Sequence, residues 1–569
     1  MARTAIERRE GAAATPGRGG GNRLPLEPLA LLVIGAVALA LRLWPLNHFS
    51  LDFQDEGAYW QSLRAMAAGH PLFSAVFSSQ PPFFLLGLFP FYLLFGSTIE
   101  AARLGVALYS LLGLAATYYI GRVTAGRWAG VIACALLAVD PLYLVESHTL
   151  QAEAPSEGLA LAGVALAAVT MGRADAPRRW RAAASGAVIG LGLLTKLFDV
   201  AALVPAALYL AAPLFAALRD EGGHRRDNVR QALRVVISDP ALLAAGFVIA
   251  CAAVLAPFFP VRGLVYDQVV RFHQVAQHID FAGSTDWRAN LGIIRDTVVE
   301  YYATPYLLLA LAGVVLAVWR RAWTVLPLLA WLVISLGLLV RQQPLLWHHV
   351  VLLAPLLAIL AGSALPLAVI PHPQLMTPGS SALTPPALLS RGQGERAGPP
   401  APRLGVEGPA SHGGWGGEGI LALAMLAMLA LLALSTFIAL RRSIEADRSR
   451  VDSNPPPAAV QLQMARVLRD HTRPGELVVT DGQYIAGLAD RSVPPELADT
   501  SAVRIDTGKL DPRYFSARWL EGIIARDHVG AILFATDRLY FRAPAFSAWV
   551  KRHYHMVASF GKGRALYQR

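Results

Sequence analysis

Long apolar runs separated by short polar segments occupy most of the first 440 residues. A helix that crosses a membrane needs about 20 predominantly apolar residues. Runs of this kind cover 28–45, 100–121, 128–144, 157–172, 182–196, 198–216, 240–258, 304–319, 323–340, 349–369 and 419–440. The pattern predicts a mainly α-helical, polytopic membrane protein with about eleven transmembrane helices.

One further apolar run, 81–96, begins at Pro81-Pro82, ends at Phe95-Gly96 and is barely long enough to cross. Loop charge decides its placement, because cytoplasmic loops carry an excess of Lys and Arg. If the run lies half-embedded at the outer surface, the arginine-rich loops fall on the inside; if it crosses, every later loop changes side. We therefore expect it not to cross, with the N-terminus cytoplasmic and the C-terminus outside.

The segments around these runs differ in composition. Residues 1–27 are rich in Arg, Gly and Ala and are predicted to be a disordered cytoplasmic tail, and residues 371–418 are predicted to be a Pro/Gly-rich linker. Residues 441–569 are predicted to form a small extracytoplasmic α/β domain, with a helix at 461–471 and strands at 476–480 and 529–535. The transmembrane domain then spans 28–370, with outer-face loops 46–99, 145–156 and 259–303, and 419–440 is the last membrane helix.

Composition supports the membrane prediction and excludes other classes. The chain is 55% hydrophobic and 16% charged with a mean hydropathy of +0.45, which is too apolar for a soluble enzyme. The net charge of +11 comes from arginines in short loops, which indicates membrane topology and no nucleic-acid partner. Cys134 and Cys251 lie inside apolar runs, and no His/Cys cluster has the spacing of a zinc site, so no metal ligands are predicted.

Two acids, Asp55 and Glu56, follow the first span closely. Carboxylates where a membrane helix meets water are costly unless they have a function. A structural alternative is that Asp55 caps a short helix from Gly57 to Ala68. The predicted topology places both acids on the outer face with the other outer loops, which favours a functional role.

Lys196 ends the fifth run and is the only lysine before Lys509. It has two structural interpretations, an ion pair with Asp199 three residues later or a side chain that extends to the membrane surface. Its functional interpretation is a cation for an anionic headgroup, because Lys binds phosphate as a compact point charge. The position at the outer end of a span favours the functional interpretation.

Several other polar residues reach the same face. Glu153 precedes a span, where acids are also favoured at helix starts. Candidates from the remaining outer loops are Arg271, His273, Arg288 and His349. Each has an ordinary alternative as a solvated loop residue or as a structural histidine at the membrane interface.

Three sequence elements, in this order, resemble one family. They are Asp55-Glu56-x-x-Tyr59 followed by Pro81-Pro82, then Gln151-Ala152-Glu153-Ala154-Pro155, then Gly190-x-Gly192-Leu193-Leu194-Thr195-Lys196. Together they resemble the polyprenyl-phosphate-sugar glycosyltransferases, which include bacterial relatives of dolichyl-phosphate-mannose-protein mannosyltransferases and the lipid A aminoarabinose transferases. The resemblance covers roughly residues 28–215.

The resemblance implies a C-type glycosyltransferase fold and assigns roles to individual residues. It implies that Asp55, with Glu56 beside it, is the catalytic base or orients the acceptor, and that Lys196 binds the lipid phosphate. Two positions depart from the family, since Gln80 stands where the aminoarabinose transferases have Lys and Glu153 stands where Asp is usual. One phosphate-binding cation is then either missing or supplied elsewhere, by Arg271 or Arg288. With the candidates from the outer loops, the substrate-binding residues expected are Tyr59, Gln80, Glu153, Lys196, Arg271, His273, Arg288 and His349.

The sequence thus predicts an inverting glycosyltransferase with Asp55 as base. The donor is a polyprenyl-phosphate sugar, either mannose or another hexose or pentose, and the acceptor is a protein, lipid or cell-wall glycan hydroxyl. The expected location is a bacterial plasma membrane with the site at its outer face, which makes cytoplasmic nucleotide sugars poor donor candidates. A divalent metal cofactor is possible but not required by the sequence.

Two other classes remain as alternatives. A multi-pass transporter of an anionic or lipid-linked substrate would use Lys196, Asp199 and Glu153 as a charged pathway, but the sequence has no matched halves or inverted repeat. A membrane scaffold would explain residues 441–569 but gives Asp55 and Lys196 no role.

Overall fold

A computed structural model describes residues 26–43, 46, 53–171, 177–219, 225–302, 304–369, 456–536 and 538–569. The predicted linker 371–418 and last membrane helix 419–440 lie outside these residues, as do residues 1–25 of the predicted tail. Leu26 and Glu27, which were assigned to that tail, belong to the first helix.

The part of the described chain before residue 370 consists of helices and their connections. The first eight α-helices are α1 (Leu26–Leu43), α2 (Phe53–Ala67), α3 (Pro82–Leu94), α4 (Ile99–Ala125), α5 (Arg127–Ala138), α6 (Pro141–Glu146), α7 (Glu153–Ala168) and α8 (Pro177–Leu193). They are followed by α9 (Leu203–Leu210), α10 (Ala212–Arg219), α11 (Arg225–Leu255), α12 (Arg262–Tyr266), α13 (Phe272–Ala276), α14 (Trp287–Tyr301), α15 (Thr304–Trp319), α16 (Leu326–Arg341) and α17 (Ala354–Val369). Two short 3-10 helices, Leu197–Ala202 and Trp347–Leu353, matter for the site.

Five helical segments among the described residues are long and apolar enough to cross a membrane: Leu26–Leu43, Ile99–Ala125, Ala232–Ala276, Trp323–Arg341 and Trp347–Val369. The pair α14 and α15, bent by 113° at its break, would make a sixth. The chain is therefore a membrane protein, and the count of eleven spans stays a prediction. Helix α3 has 13 residues and is about 20 Å long, which is too short for a hydrocarbon core of about 30 Å.

The membrane helices pack closely through small residues. Helix α8 lies against α11, where a Cβ added at Gly186 would stand 1.8 Å from the Leu243 carbonyl oxygen and one at Gly246 would stand 1.9 Å from that of Ala183. Helix α4 packs on α5 and α7, and α17 packs on α5 and α15. Such approach of backbones is typical of membrane helices, whose association depends on van der Waals contact.

The region after residue 455 is a small α/β domain. Its helices are α18 (Ala458–Asp470), α19 (Gln483–Leu488), α20 (Ala502–Leu510), α21 (Ala517–Arg526) and α22 (Pro544–His553), and its strands are β1 (Val478–Thr480), β2 (Ala531–Phe534), β3 (His555–Gly561) and β4 (Arg564–Gln568). The sheet has the order β1-β2-β4-β3, with β1 parallel to β2 and the last pairs antiparallel. The predicted helix and both predicted strands are present, while the β3–β4 hairpin was not predicted.

The C-terminal domain docks on α2. The Gln61 side-chain amide donates to the carbonyl oxygens of Gln483 (3.2 Å) and Arg491 (3.0 Å). There is no room for a side chain at the contact, since a Cβ at Gly57 would lie 2.4 Å from the Tyr484 nitrogen. One apolar cluster, which includes Trp60 and Leu63 of α2, continues into the C-terminal domain.

Candidate active site

Segments from both parts of the molecule line one cavity. Of the residues named from the sequence, it is lined by Asp55, Tyr59, Gln80, Glu153, Lys196, His273 and His349. Further lining comes from Gln151, Phe198, His348, Asp499, Ser501 and Val503. The structure therefore brings the two acidic loops, the lysine and the long outer loop to one place, although they are far apart in sequence.

Asp55 lies in the first turn of α2 and is half-buried at the cavity wall. The helix begins at Phe53, so Asp55 is inside it and not the cap of a helix that starts at Gly57. Tyr59 follows one turn later on the same helical face, and it lines the cavity together with Gln80. Burial, and then the nearby Asp55 carboxylate, raises the pKa of Tyr59 well above its usual value, which keeps the phenol protonated and able to donate.

Glu56, which was expected to be catalytic beside Asp55, does not line the cavity. Successive helical residues point about 100° apart, so Glu56 faces inward when Asp55 faces the cavity. Its carboxylate accepts from Arg103 Nε (2.8 Å) and Nη2 (2.7 Å) and from the Leu150 backbone N–H (2.7 Å). Both charged side chains are 0% exposed. Glu56 thus fastens α2 to α4 and to the loop that leads to Glu153.

Lys196 follows the end of α8 and precedes the 3-10 helix Leu197–Ala202. Its ammonium forms a buried ion pair with Glu153 Oε1, and Phe198 covers it from 5.7 Å. The side chain is only 8% exposed. Neither structural interpretation from the sequence describes this lysine, because it does not extend to a surface and its ion pair is with Glu153.

Two consecutive histidines complete the surroundings of Glu153. His348 Nε2 lies 3.4 Å and His349 Nε2 lies 3.9 Å from the same Glu153 oxygen that Lys196 contacts. The Leu346 backbone N–H donates to His349 Nδ1 at 3.2 Å. On the other side of the cavity, His273 Nε2 lies 3.0 Å from the Ser79 carbonyl oxygen and donates to it. Sequence analysis named only His349 as a candidate, although His348 is adjacent to it in Trp347-His348-His349.

The donor atoms of Glu153, His348 and His349 lie within 4.8 Å of one another, which is a group of the kind that holds a metal ion. Two contacts do not fit a resident metal. The Lys196 ammonium already occupies the Glu153 oxygen. Histidine ligands usually donate from the ring nitrogen away from the metal, whereas His349 Nδ1 accepts, which puts the proton on the Nε2 that would have to bind. Glu153, His348 and His349 are residue types that bind metals, and the expectation of no metal ligands stays a prediction.

Two arginines expected at the site lie outside the cavity lining. Arg271 is 46% exposed and reaches toward Asp511 of the C-terminal domain at 3.9 Å. Arg288 lies over the Trp287 ring at 5.2 Å. Neither arginine lines the cavity in place of the lysine that the aminoarabinose transferases have at the position of Gln80.

The C-terminal domain supplies a wall that was not predicted from the sequence. Arg504 positions it, donating to the backbone oxygens of Glu496 (2.8 Å) and Asp499 (2.5 Å) while its guanidinium lies 3.8 Å from the Phe77 ring centroid. Burial lowers the pKa of Arg504 to about 10, so it stays charged at neutral pH. Asp499 and Ser501 are thereby held at the cavity.

The comparisons with known proteins agree with this architecture. Residues 79–220 match the family model for dolichyl-phosphate-mannose-protein mannosyltransferases, and no curated protein sequence matches the chain. The structure aligns with ArnT from Cupriavidus metallidurans bound to undecaprenyl phosphate, with a TM-score of 0.55 and 16% identity, over 94% of this chain and 97% of that one.

The chain has the C-type glycosyltransferase fold. A second solved structure with this fold is the archaeal oligosaccharyltransferase AglB from Archaeoglobus fulgidus in complex with an inhibitory peptide and a dolichol-phosphate. It aligns with a TM-score of 0.50 and 14% identity, over 95% of this chain and 74% of that one. The predicted fold class, mainly helical membrane domain plus small α/β domain, is confirmed.

Proposed function

We propose that this protein is a membrane glycosyltransferase that moves a sugar from a polyprenyl-phosphate donor to an acceptor hydroxyl. The observation that carries the proposal is that one cavity holds both a carboxylate, Asp55, and a buried cation, Lys196. These are the two groups that a glycosyl transfer from a phosphate needs. The family match over residues 79–220 and the fold shared with ArnT and AglB support it.

In the proposed reaction, Asp55 accepts the proton of the acceptor hydroxyl as its oxygen attacks the anomeric carbon. The bond between that carbon and the phosphate oxygen breaks, and the polyprenyl phosphate leaves with the bonding electrons. Lys196 stabilises the charge that develops on the leaving phosphate. One base opposite the leaving group gives a single displacement, so the product has the inverted configuration.

Two neighbours prepare these groups. Glu153 holds the Lys196 ammonium at the cavity before a donor arrives, and the phosphate would share that ammonium with it. The protonated Tyr59 donates to a ligand oxygen beside Asp55. Asp499 and Ser501 form the wall contributed by the C-terminal domain, and we assign them to acceptor contact.

The donor sugar we test first is mannose, and the acceptor classes are protein, lipid and cell-wall glycan hydroxyls. We place the site at the outer face of a bacterial plasma membrane with the N-terminus in the cytoplasm, because that orientation puts the arginine-rich loops inside. The donor tail then lies in the bilayer while its phosphate enters the cavity.

The test is sugar transfer by the purified full chain in nanodiscs, with radiolabelled polyprenyl-phosphate mannose and a membrane and cell-wall extract as acceptor. Asp55→Asn should abolish label transfer. The matched control is Asp296→Asn, an acid that pairs with Arg295 and is 68% exposed, which should transfer label at the wild-type rate.

Full transfer by Asp55→Asn would refute the role of Asp55. If folded wild-type protein transfers no label from mannose or from a panel of other lipid-linked sugars, the enzyme proposal fails. The transporter alternative predicts that outcome together with substrate uptake that Lys196→Ala abolishes.

A further inference from the structure

We propose that the Lys196 ammonium takes the place of a divalent cation beside Glu153, and that removing this one side chain turns Glu153, His348 and His349 into a divalent-metal site. The site would then be a latent metal centre that an internal cation keeps closed. The geometry of the four side chains supports this inference. Only its consequence for phosphate binding rests on the proposed function.

The first support is the composition of the cluster. One carboxylate and two imidazoles converge from separate elements, Glu153 from the start of α7 and the histidines from the 3-10 helix before α17. All three are buried, at 3%, 4% and 8% exposure. A carboxylate with two histidines and an open side toward a cavity is a ligand set that zinc and related divalent ions accept.

The second support is the position of the lysine. The ammonium contacts the very oxygen, Glu153 Oε1, from which both histidine Nε2 atoms are measured at 3.4 and 3.9 Å. A metal bound to this oxygen and to both imidazoles would lie about 2 Å from each donor atom. It would therefore meet the ammonium directly, and two cations at such a distance repel strongly in a buried site.

The third support is the tautomer of His349. Its Nδ1 accepts from the Leu346 N–H, so its Nε2 carries the proton and lies 3.9 Å from Glu153 Oε1, outside hydrogen-bond distance. The charge of Glu153 is thus balanced by the Lys196 ammonium, an arrangement that satisfies the carboxylate without a metal. Removal of the ammonium leaves the carboxylate short of positive charge, and a divalent ion would supply it, with the His349 ring in the tautomer that carries its proton on Nδ1 and without the Leu346 N–H contact.

This arrangement has a consequence for the proposed reaction. A divalent ion would bring two positive charges to the phosphate, whereas Lys196 brings one that Glu153 already balances. The leaving phosphate is then stabilised by a cation built into the chain. Sugar transfer by the wild type should therefore be unchanged after exhaustive treatment with a chelator.

The experiment measures metal binding and needs no substrate. Full-length wild type, Lys196→Ala and Lys196→Ala/His348→Ala are purified in nanodiscs, stripped with a chelator, dialysed against Zn²⁺ and analysed for bound metal. Co²⁺ in place of Zn²⁺ reports ligation by its visible absorption. Lys509→Ala is the matched control, because it removes a lysine from a 2.6 Å pair with Asp506 that has no histidine ligand set.

We expect Lys196→Ala to gain stoichiometric Zn²⁺ and a Co²⁺ spectrum of nitrogen and oxygen ligation, and the double variant to lose both. Wild type and Lys509→Ala should show neither. Thermal melting with and without Zn²⁺ verifies folding, because a metal that binds only the native state raises its melting temperature.

Two results would overturn the inference. One is stoichiometric metal in the wild type that His348→Ala removes. The other is folded Lys196→Ala that binds no Zn²⁺. Both are independent of sugar transfer, so the inference fails or stands apart from the proposed activity.

Discussion

Two buried ion pairs, Glu56–Arg103 and Glu153–Lys196, join separate helical segments, and their differences separate a structural pair from one at the candidate site. In Glu56–Arg103 both side chains are 0% exposed, and the guanidinium bonds both carboxylate oxygens while a backbone N–H adds a third contact. In Glu153–Lys196 a compact ammonium contacts one oxygen beside a cavity. The planar guanidinium of Arg103 binds both oxygens of its carboxylate partner. The Lys196 ammonium has three N–H donors and binds one carboxylate oxygen, so further donors can bind a ligand.

The strongest test of this contrast removes the Glu56–Arg103 pair. Arg103→Met should leave the Glu56 carboxylate buried without its cation and should cost about 3–5 kcal/mol of stability. Chemical unfolding of the full chain in nanodiscs measures it. Arg64→Met is the matched control, since Arg64 pairs with a 79% exposed Asp490 at 2.9 Å and such surface pairs contribute about 0–1 kcal/mol. Equal losses in the two variants would contradict the structural role.

Removal of the Glu153–Lys196 pair should affect chemistry more than folding. Lys196→Met should lower sugar transfer by about 100-fold or more, because it removes the charge that stabilises the leaving phosphate. Its loss of stability should be smaller than that of Arg103→Met, since Glu153 lines the cavity and Glu56 does not. The unfolding experiment and the transfer assay, run on one preparation, separate these effects. A variant that unfolds as readily as Arg103→Met would erase the distinction between the two pairs.

The contact between α2 and the C-terminal domain tests the candidate site in a second way. Asp55 belongs to α2, so a change in how this helix packs should move Asp55 relative to Lys196. A Cβ at Gly487 would lie 2.3 Å from the Trp60 ring, so Gly487→Ala should destabilise by about 1–3 kcal/mol and reduce transfer. Gly522→Ala, at a helical glycine with open space around it, should be neutral or stabilise by up to about 1 kcal/mol. Equal melting temperatures for the two variants would show that this contact is not tight.

The smallest effect is expected for Asp499, in the part of the cavity wall that the C-terminal domain supplies. Asp499→Asn should raise the KM for the acceptor by about tenfold with little change in the KM for the lipid donor, because it weakens one charged hydrogen bond. Asp527→Asn is the control, an acid of the same domain that pairs with Arg526. A change in the donor KM alone would move Asp499 to the donor side of the cavity.

The residues that sequence reasoning placed well were those whose position follows from topology. Three of these residues, Asp55, Glu153 and Lys196, lie at or next to the ends of different helices. The predicted membrane topology puts those helix ends on the same side of the membrane, so it predicts that the three residues are close together. Strands β1 and β2 were found because each is a fully buried apolar run. The β3 strand was missed because most of its residues are exposed or half-exposed, which leaves no apolar run.

The differences between the sequence-based expectations and the structure have equally specific causes. Glu56 was named together with Asp55 because both acids follow the first span, and the start of the helix at Phe53 decides which of the two faces the cavity. Arg271 and Arg288 belong to a loop whose helices could not be oriented from composition. Asp499 reaches the cavity only through docking of a domain more than 400 residues away from Asp55, and no local pattern reports that contact.

The lack of space at Gly57 and Gly487 limits how the C-terminal domain could be replaced by that of a related protein. The Tyr484 backbone occupies the space that a side chain at Gly57 would need, and the Trp60 ring occupies the space that a side chain at Gly487 would need. The two contact surfaces therefore fit only each other, and neither can be redesigned alone. A C-terminal domain grafted from a relative would have to bring a glycine to the Trp60 ring and a flat backbone to Gly57. The change in composition near residue 441 is therefore not a position at which the C-terminal domain of this protein could be exchanged on its own.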